Sequence, residues 1–316
     1  MFKDHRIAVV IPAYNEAAFI TDVVKGLPGF VDHVIVVDDG SRDATVEVVA
    51  GLADPRVVLR RHQRNAGVGA AMRTGYRTAL DLGADIVVKM DGDGQMDPAE
   101  LSRLIDPLVE GVADYAKGNR FLRQGLDAMP GLRLVGNTLL TFLTKVASGY
   151  WHVFDPQNGY TAVSADAVRV IDVEALAAGY FFENDMLVRL NVHRFVVVDV
   201  PMSARYPHEK SSLSVARVIF TFPGFLLRRL CYRVYQKYIL RDFSPIALFL
   251  ILGLLLFTWG FLFGAVVWWH SIARQRVATT GTVMLSVLPL LLGFQLLLQA
   301  IVLDIQQAPS PDQRRR

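Results

Sequence analysis

Residues 88–98 read VKMDGDGQMDP, with three carboxylates, Asp91, Asp93 and Asp97, inside seven positions directly after the apolar run Ile86, Val87 and Val88. A short β-branched run that stops at a glycine-punctuated acidic stretch reads as a buried strand feeding a loop. The arrangement recurs twice upstream. Ile7–Ile11 runs into Pro12, Ala13, Tyr14, Asn15 and Glu16, and His33–Val37 runs into Asp38, Asp39, Gly40 and Ser41. Further strands are expected at Val57–Leu59 and Phe195–Val200, and helices over 67–83, 98–110 and 131–147. Such alternation predicts an α/β layered fold with a mostly parallel sheet, whose ligands bind beyond the carboxyl ends of the strands. Taken singly, DDGS is equally a turn followed by a helix cap. Three polar, acidic loops at corresponding strand ends are hard to explain as turns, and carboxylates gathered there call for a cation or several donors.

The 316 residues carry a net charge of +3 and are 52% hydrophobic and 20% charged, with a mean hydropathy of +0.32. That is too apolar for an ordinary soluble domain of this length, so part of the chain is expected in a membrane. The small net charge gives no reason to invoke nucleic acid. Cys231 is the only cysteine, which excludes an intramolecular disulfide and a cysteine-rich metal site. Near the N-terminus the apolar run Ile7–Pro12 is too short for the core of a signal peptide.

The apolar excess sits at the C-terminal end. Pro245–Trp269 and Thr279–Leu303 contain no charged residue, and each is long enough to cross a hydrocarbon layer of roughly 30 Å as a helix. Trp268 and Trp269 suit the interface at one end of the first span. Gln295 and Gln299 are expected to face the partner helix or lipid headgroups. Arg228, Arg229, Arg233, Lys237 and Arg241 precede the spans and Arg314, Arg315 and Arg316 follow them, against only Arg274 and Arg276 between. Both termini and the N-terminal domain are therefore expected to be cytoplasmic. Within FLLRRLCYRVYQKYILRDF (225–243), Arg229, Arg233, Lys237 and Arg241 recur every fourth residue beside a row of Leu226, Leu230, Val234 and Tyr238. This reads as an amphipathic helix for an anionic membrane surface, or as a solvated face packed on the globular part. The expected organisation is a catalytic domain over 1–212, juxtamembrane amphipathic helices over 213–243, a transmembrane hairpin over 244–304 and a basic tail over 305–316.

Competing motifs fail on spacing. A calcium loop starting at Asp91 needs Gly at 96 and Glu at 102, where the chain has Met96 and Ser102. NAGVGAAMRTG (65–75) has Met72 where a dinucleotide fingerprint has its third glycine. Gly67 and Gly69 allow either close backbone packing against a bound nucleotide or simple flexibility at a helix start.

VVIPAYNE (9–16), VVDDGSRDAT (36–45) and DGDGQMDP (91–98), in this order, resemble the nucleotide-sugar-binding half of family 2 glycosyltransferases, which have the GT-A, Rossmann-like fold. GNRF (118–121), DPQNGY (155–160), FENDMLVRL (182–190) and ARYPHEKSSL (204–213) resemble its polyprenyl-phosphate branch, the group of dolichyl-phosphate mannose synthases and undecaprenyl-phosphate glucosyltransferases. The resemblance covers roughly 1–215. It implies that Pro12, Ala13, Tyr14, Glu16, Asp38, Asp39, Gly40, Gly67, Lys89, Asp91 and Gly92 bind the nucleotide sugar. A departing nucleoside diphosphate needs a hard divalent cation, and Asp91 and Asp93 at alternate positions can face one Mg²⁺ or Mn²⁺, with Gln95 as a neutral ligand. Asp97, before Pro98, is better suited to capping a helix.

A lipid monophosphate is ionised near neutral pH and is itself the nucleophile, so the acceptor side calls for arginines instead of a general base. Arg120 and Arg133 match acceptor-phosphate positions and Arg205 one near the donor diphosphate. The chain departs from the branch at Asn137, where a serine is expected, and at Asp185, which replaces the usual Glu and would orient the sugar or complete the metal site. The expected activity is inverting transfer of a hexosyl unit from a nucleotide sugar of the GDP-mannose or UDP-glucose type to undecaprenyl or dolichyl phosphate, in a bacterial or archaeal membrane. Two other readings are a processive polysaccharide synthase and a non-catalytic membrane protein that senses sugar nucleotides. The first lacks its Gln-x-x-Arg-Trp block, since the tryptophans are Trp151, Trp259, Trp268 and Trp269. The intact Asp91 and Asp93 pair argues against the second.

Overall fold

The computed structural model describes residues 1–120, 131–202 and 215–311, with backbone alone at 131–137 and 215–220. Two compact units emerge: Met1–Cys231 together with the segment starting at Pro309, and Tyr232–Ala308.

The strands of the first unit are β1 (Ile7–Ala13), β2 (His33–Asp38), β3 (Val57–Arg61), β4 (Ile86–Lys89), β5 (Tyr115–Asn119), β6 (Thr161–Ser164) and β7 (Val197–Pro201). They form one sheet in the order β3-β2-β1-β4-β6-β5-β7. β6 runs antiparallel to both neighbours, and the other pairs are parallel. Its helices are α1 (Ile20–Gly26), α2 (Thr45–Ala50), α3 (Val68–Asp81), α4 (Leu101–Val109), α5 (Gly131–Ser148), α6 (Ala165–Val170), α7 (Phe182–Val192) and α8 (Val215–Val234), the last crossing into the second unit.

A parallel sheet covered on both faces demands apolar residues at successive positions, which is why Ile7–Ile11 and Val34–Val37 are unbroken apolar runs. Val9, Ile11, Val36 and Val88 meet α1 and α4 on one face. Ala8, Val10, Ile35 and Val37 meet Met72 and Tyr76 of α3 and Phe182 and Met186 of α7 on the other. Opposite Ala13 stands Asp38, and opposite Val10 stands Lys89. The loops after β1, β2 and β4 therefore leave the sheet along one edge.

The five expected strands are present, and β5 and β6 join them. The first, YAKGN, interrupts its apolar pattern with Lys, Gly and Asn, and the second is only TAVS. Their polar members find partners inside the protein, which strand patterning cannot reveal. The expected cap is observed: the Asp97 carboxylate accepts the Ala99 N–H at 3.0 Å.

In the second unit, a π-helical turn (Tyr235–Leu240) leads to α9 (Pro245–Arg274) and α10 (Thr280–Gln306). Both helices are long and apolar enough to cross a membrane. Their large side chains point outward, including Leu255, Trp259, Phe261, Leu291 and Phe294, unlike the core helices of a soluble domain. They touch through small residues. A side chain at Gly260 would come within 2.6 Å of the Leu290 nitrogen, and Ser286 Oγ donates to the Gly260 carbonyl at 2.9 Å. With Gly293 and Ala300 occupying the contact face of α10, Gln295 and Gln299 lie on its exposed side. Of the two settings expected for them, the one facing α9 is not observed.

The basic row before the spans also behaves differently from a headgroup-facing surface. Within the second unit Arg233 is buried, with Nη1 and Nη2 at 2.6 and 3.1 Å from the two Asp304 oxygens. The Tyr238 hydroxyl bonds the same carboxylate, and Lys237 is buried beside it. Within the first unit Arg229 pairs with Asp185 at 2.8 Å. The partners lie 44 and 71 residues away in sequence, so a helical-spacing rule sees the cations and not the acids that turn them inward. Arg228 and Arg241 remain on the exposed side.

Candidate active site

The loops after β1 and β2 are laced together. Asn15 adopts a left-handed φ of 60°; its N–H donates to Ser41 Oγ at 2.9 Å and its Oδ1 accepts the Arg42 N–H at 2.8 Å. Glu16 N–H donates to Thr45 Oγ1 at 2.9 Å. Gly92, after β4, backs onto this wall: a Cβ there would stand 3.4 Å from Glu16 Cγ and 3.5 Å from the Pro12 carbonyl. Pro12, Ala13, Tyr14, Glu16 and Gly92 are thus brought together, with Tyr14 exposed above them.

Asp38 and Asp39 are buried and engaged within the chain. Asp38 Oδ1 accepts the Ser41 N–H at 3.2 Å, across the turn for which Gly40 takes a φ of 75°. Asp39 accepts the Ala66 and Gly67 N–H groups at 3.0 and 2.7 Å, and His62 Nδ1 lies 2.7 Å from its Oδ1. Asp39 therefore shapes the loop that starts α3. The close approach allowed by Gly67 and Gly69 is taken up by the protein itself: a Cβ on Gly67, whose φ is 96°, would lie 2.6 Å from the Ala178 carbonyl, and one on Gly69 would run into that of Ala177.

At the end of β4, Lys89 is buried, its ammonium 2.7 Å from Asp91 Oδ1 and 3.3 Å from Glu183 Oε1 of α7. Burial alone would lower this lysine's pKa, but Asp91 and Glu183 overcome it and hold the pKa well above its ordinary value. A fixed ammonium thus sits between two carboxylates and orients one of them. Gly159 closes over this group, with a hypothetical Cβ 2.5 Å from Lys89 Nζ and 2.8 Å from Asp91 Oδ2. Asp93 accepts the Gln95 N–H at 3.0 Å. Asp91 and Asp93 are half-buried on the turn and Gln95 is exposed. Among the described residues no three His, Cys, Asp or Glu side chains gather closely enough to hold a metal by themselves. Two half-buried hard carboxylates on one turn nonetheless fit Mg²⁺ or Mn²⁺, which are commonly bound by one or two protein carboxylates together with substrate phosphate oxygens.

The loop between α5 and β6 reaches the other candidate cation. Arg120 donates from Nε and Nη2 to the two Asp155 oxygens at 2.8 and 3.1 Å, with the carboxylate buried and the guanidinium partly exposed. Beside it, Asn158 Nδ2 donates to the Gly118 carbonyl at 2.7 Å, and the Lys117 ammonium donates to the Asn158 carbonyl. Burial drives the Lys117 pKa down to about 8, against the opposing pull of Glu183 and Asp155. Between about 8 and its ordinary 10.5 the unfolded chain holds the extra proton, so this lysine makes stability rise with pH across that window. Lys117→Met should flatten the rise, measured as denaturation midpoint against pH.

One turn of the fully buried α7 faces three ways. Glu183 meets Lys89, Asn184 Oδ1 accepts from Thr144 Oγ1 at 3.1 Å, and Asp185 meets Ala177, Arg189 and Arg229. Asp185 is wholly enclosed, and burial, outweighing the two arginines, pushes its carboxyl above the usual range. Arg205 and the side chains of Arg133 and Asn137 lie outside the described residues. Sequence reasoning did not single out Glu183, Asp155, Lys117 or His62. The first two stand inside the blocks FENDMLVRL and DPQNGY, but their partners, Lys89 and Arg120, come from distant parts of the chain.

An α/β sheet with acidic loops gathered at the carboxyl ends of β1, β2 and β4, and a cation-ready carboxylate pair at the third, defines a GT-A type glycosyltransferase. The model of Glycosyl transferase family 2 matches residues 8–171, and the chain belongs to that family. It is 32% identical over 238 residues to the UDP-N-acetylglucosamine–dolichyl-phosphate N-acetylglucosaminyltransferase of Methanococcus voltae, covering 70% of this chain and 93% of the relative. It is 36% identical over 209 residues to the polyprenol monophosphomannose synthase of Mycolicibacterium smegmatis, covering 63% and 77%. Among solved structures, glucosyl-3-phosphoglycerate synthase from Mycobacterium tuberculosis with Mn²⁺, UDP-glucose and phosphoglyceric acid aligns with a TM-score of 0.53 at 25% identity, covering 73% of this chain and 80% of that one.

Proposed function

We propose that the protein transfers a glycosyl unit from a nucleotide sugar to a polyprenyl phosphate, inverting the anomeric carbon and releasing a nucleoside diphosphate. The observation that carries the reading is the Asp155–Tyr160 loop. Its Gly159 lies against Lys89 and Asp91, and its Asp155 grips Arg120, so one short loop joins the donor-side carboxylates to an acceptor-side guanidinium. The names of the M. voltae and M. smegmatis relatives support a lipid-phosphate acceptor.

Asp91 and Asp93, with Gln95 beside them, would hold a divalent cation, which supplies charge neutralisation to the departing diphosphate. The solved relative with Mn²⁺ and UDP-glucose supports that choice of group. Lys89, fixed by Glu183, keeps the Asp91 carboxylate aimed. The loops at Pro12–Glu16 and Asp38–Gly40 line the donor side. Arg120 and Arg133 would grip the anionic acceptor, and Arg205 would lie near the donor diphosphate, so that one anion can approach the other. The acceptor phosphate is already ionised, so no side chain has to remove a proton; its oxygen attacks the anomeric carbon in line as the bond to the diphosphate breaks. The two apolar helices put the catalytic unit within reach of a lipid substrate, and the excess of basic residues outside the hairpin supports a cytoplasmic location for both termini.

Membranes incubated with undecaprenyl phosphate and a panel of labelled nucleotide sugars should yield a labelled lipid with one donor, whose identity the product reveals; absence of label in the lipid fraction with every donor would refute the reading. Arg120→Ala should raise the acceptor KM by about ten- to a hundredfold, the loss expected for a charge-assisted contact. The donor KM should change little, and equal losses for both substrates would remove Arg120 from the acceptor site.

A further inference from the structure

Asp185 has the setting of a brace, and what it braces runs from α8 to the donor side. Its Oδ2 accepts both the Ala177 N–H and Arg229 Nη2 at 2.8 Å, and its Oδ1 lies 3.5 Å from Arg189 Nε. Arg189 Nη2 in turn donates to the Ala175 carbonyl at 2.7 Å, and Arg73 of α3 donates to the Leu176 carbonyl. The segment Leu176–Gly179 is thereby held by Asp185 of α7, which Arg229 of α8 backs, and by Arg73 of α3. It also presses on the start of α3. The Ala178 carbonyl accepts the Ala70 N–H at 3.1 Å and leaves no room for a side chain at Gly67 or Gly69. Gly67 and Ala66 are the residues whose N–H groups Asp39 holds. Phe181, which follows the segment, packs on Phe222 and Phe225 of α8 at centroid distances of 5.5 and 5.4 Å.

We infer that Asp185 is a positioning residue that couples the seating of α8 to the donor-binding loop, with Leu176–Gly179 as the strut between them. Arg229 is the α8 end of this coupling, and Asp39 with Gly67 is the donor end. The contacts are continuous and short, and the strut touches α3 where glycines leave no slack, so a shift of α8 is passed on instead of absorbed. Because α8 is the helix from which the chain enters the two apolar spans, the arrangement would make donor affinity depend on how that helix is seated. The inference rests on the proposed donor site.

Its test is calorimetric binding of a panel of nucleoside diphosphates with MnCl₂ to the purified full-length protein in detergent. The wild type should bind one of them. Arg229→Met, a change on a helix without any proposed donor ligand, should weaken that binding by about tenfold, and Arg229→Lys, which keeps the charge and the fold, should weaken it by less. Asp185→Asn should weaken it as well, and the double variant Asp185→Asn/Arg229→Met should be no weaker than the worse single one, as expected for two residues acting through one contact. Unchanged nucleotide affinity in both Arg229 variants, whatever their melting temperatures, would overturn the inference, as would additive losses in the double variant. If the wild type binds no nucleoside diphosphate at all, the donor reading falls and this coupling with it.

Discussion

Asp93→Asn should lower turnover by about a thousandfold while leaving the fold intact. The amide keeps the size of the side chain and can still accept the Gln95 N–H that Asp93 accepts at 3.0 Å. What it loses is the negative charge that a hard divalent cation requires, and several kcal/mol of charge stabilisation at the departing diphosphate go with it; each 1.4 kcal/mol or so is a factor of ten in rate. The internal control lies four residues further along the chain. Asp97→Ala removes the acceptor of the Ala99 N–H and should cost about 1 kcal/mol of stability while turnover persists. Activity titrated with MnCl₂ separates the two: full metal-dependent turnover in Asp93→Asn would take Asp93 out of the metal site.

Lys89→Met should be among the most damaging single changes to stability. The ammonium is buried between Asp91 and Glu183, and removing one member of a buried ionic group leaves the others uncompensated, at a cost of about 3–5 kcal/mol. The melting temperature should fall accordingly. Added MnCl₂ should restore part of the loss, because a cation at Asp91 then relieves the charge that the lysine balanced. Glu183→Gln introduced with Lys89→Met should also restore part of it, by removing one of the two stranded charges. A melting temperature unchanged from wild type would mean that the lysine does not hold the site together.

These two outcomes separate what the chain reveals locally from what it conceals. The apolar runs before PAYNE, DDGS and DGDG mark β1, β2 and β4, because a parallel sheet buried on both faces admits few other residues. The polar stretches after them mark the functional edge. The apolar spans are equally plain, since a helix whose whole circumference is apolar leaves a periodicity-free signature that few other structures share. The quoted motifs likewise name Asp91, Asp93, Arg120 and Asp185 as residues to watch. Their partners are a different matter. Lys117 and Asn119 sit in a strand that patterning passes over, because a buried polar residue looks like a loop residue until its partner is known. The basic row from Arg229 looks like a membrane-facing surface until Asp185 and Asp304 are brought to it.

By itself, then, the sequence determined the layered α/β fold, the edge of the sheet that carries the chemistry, the carboxylate pair at the end of β4 and the two apolar helices. Each is written in periodicity or in a short contiguous motif, where the physical cause acts between near neighbours in the chain. Tertiary structure alone decided that Lys89 stands between Asp91 and Glu183, that Asp155 holds Arg120, that Asp185 faces Arg229, and that Gly67 and Gly69 yield their space to Ala177 and Ala178. Those are pairings between residues far apart in the chain. Burial makes them obligatory, because an ion or polar group without a partner there costs several kcal/mol, but which partner meets the need is settled only when the strands and helices are packed.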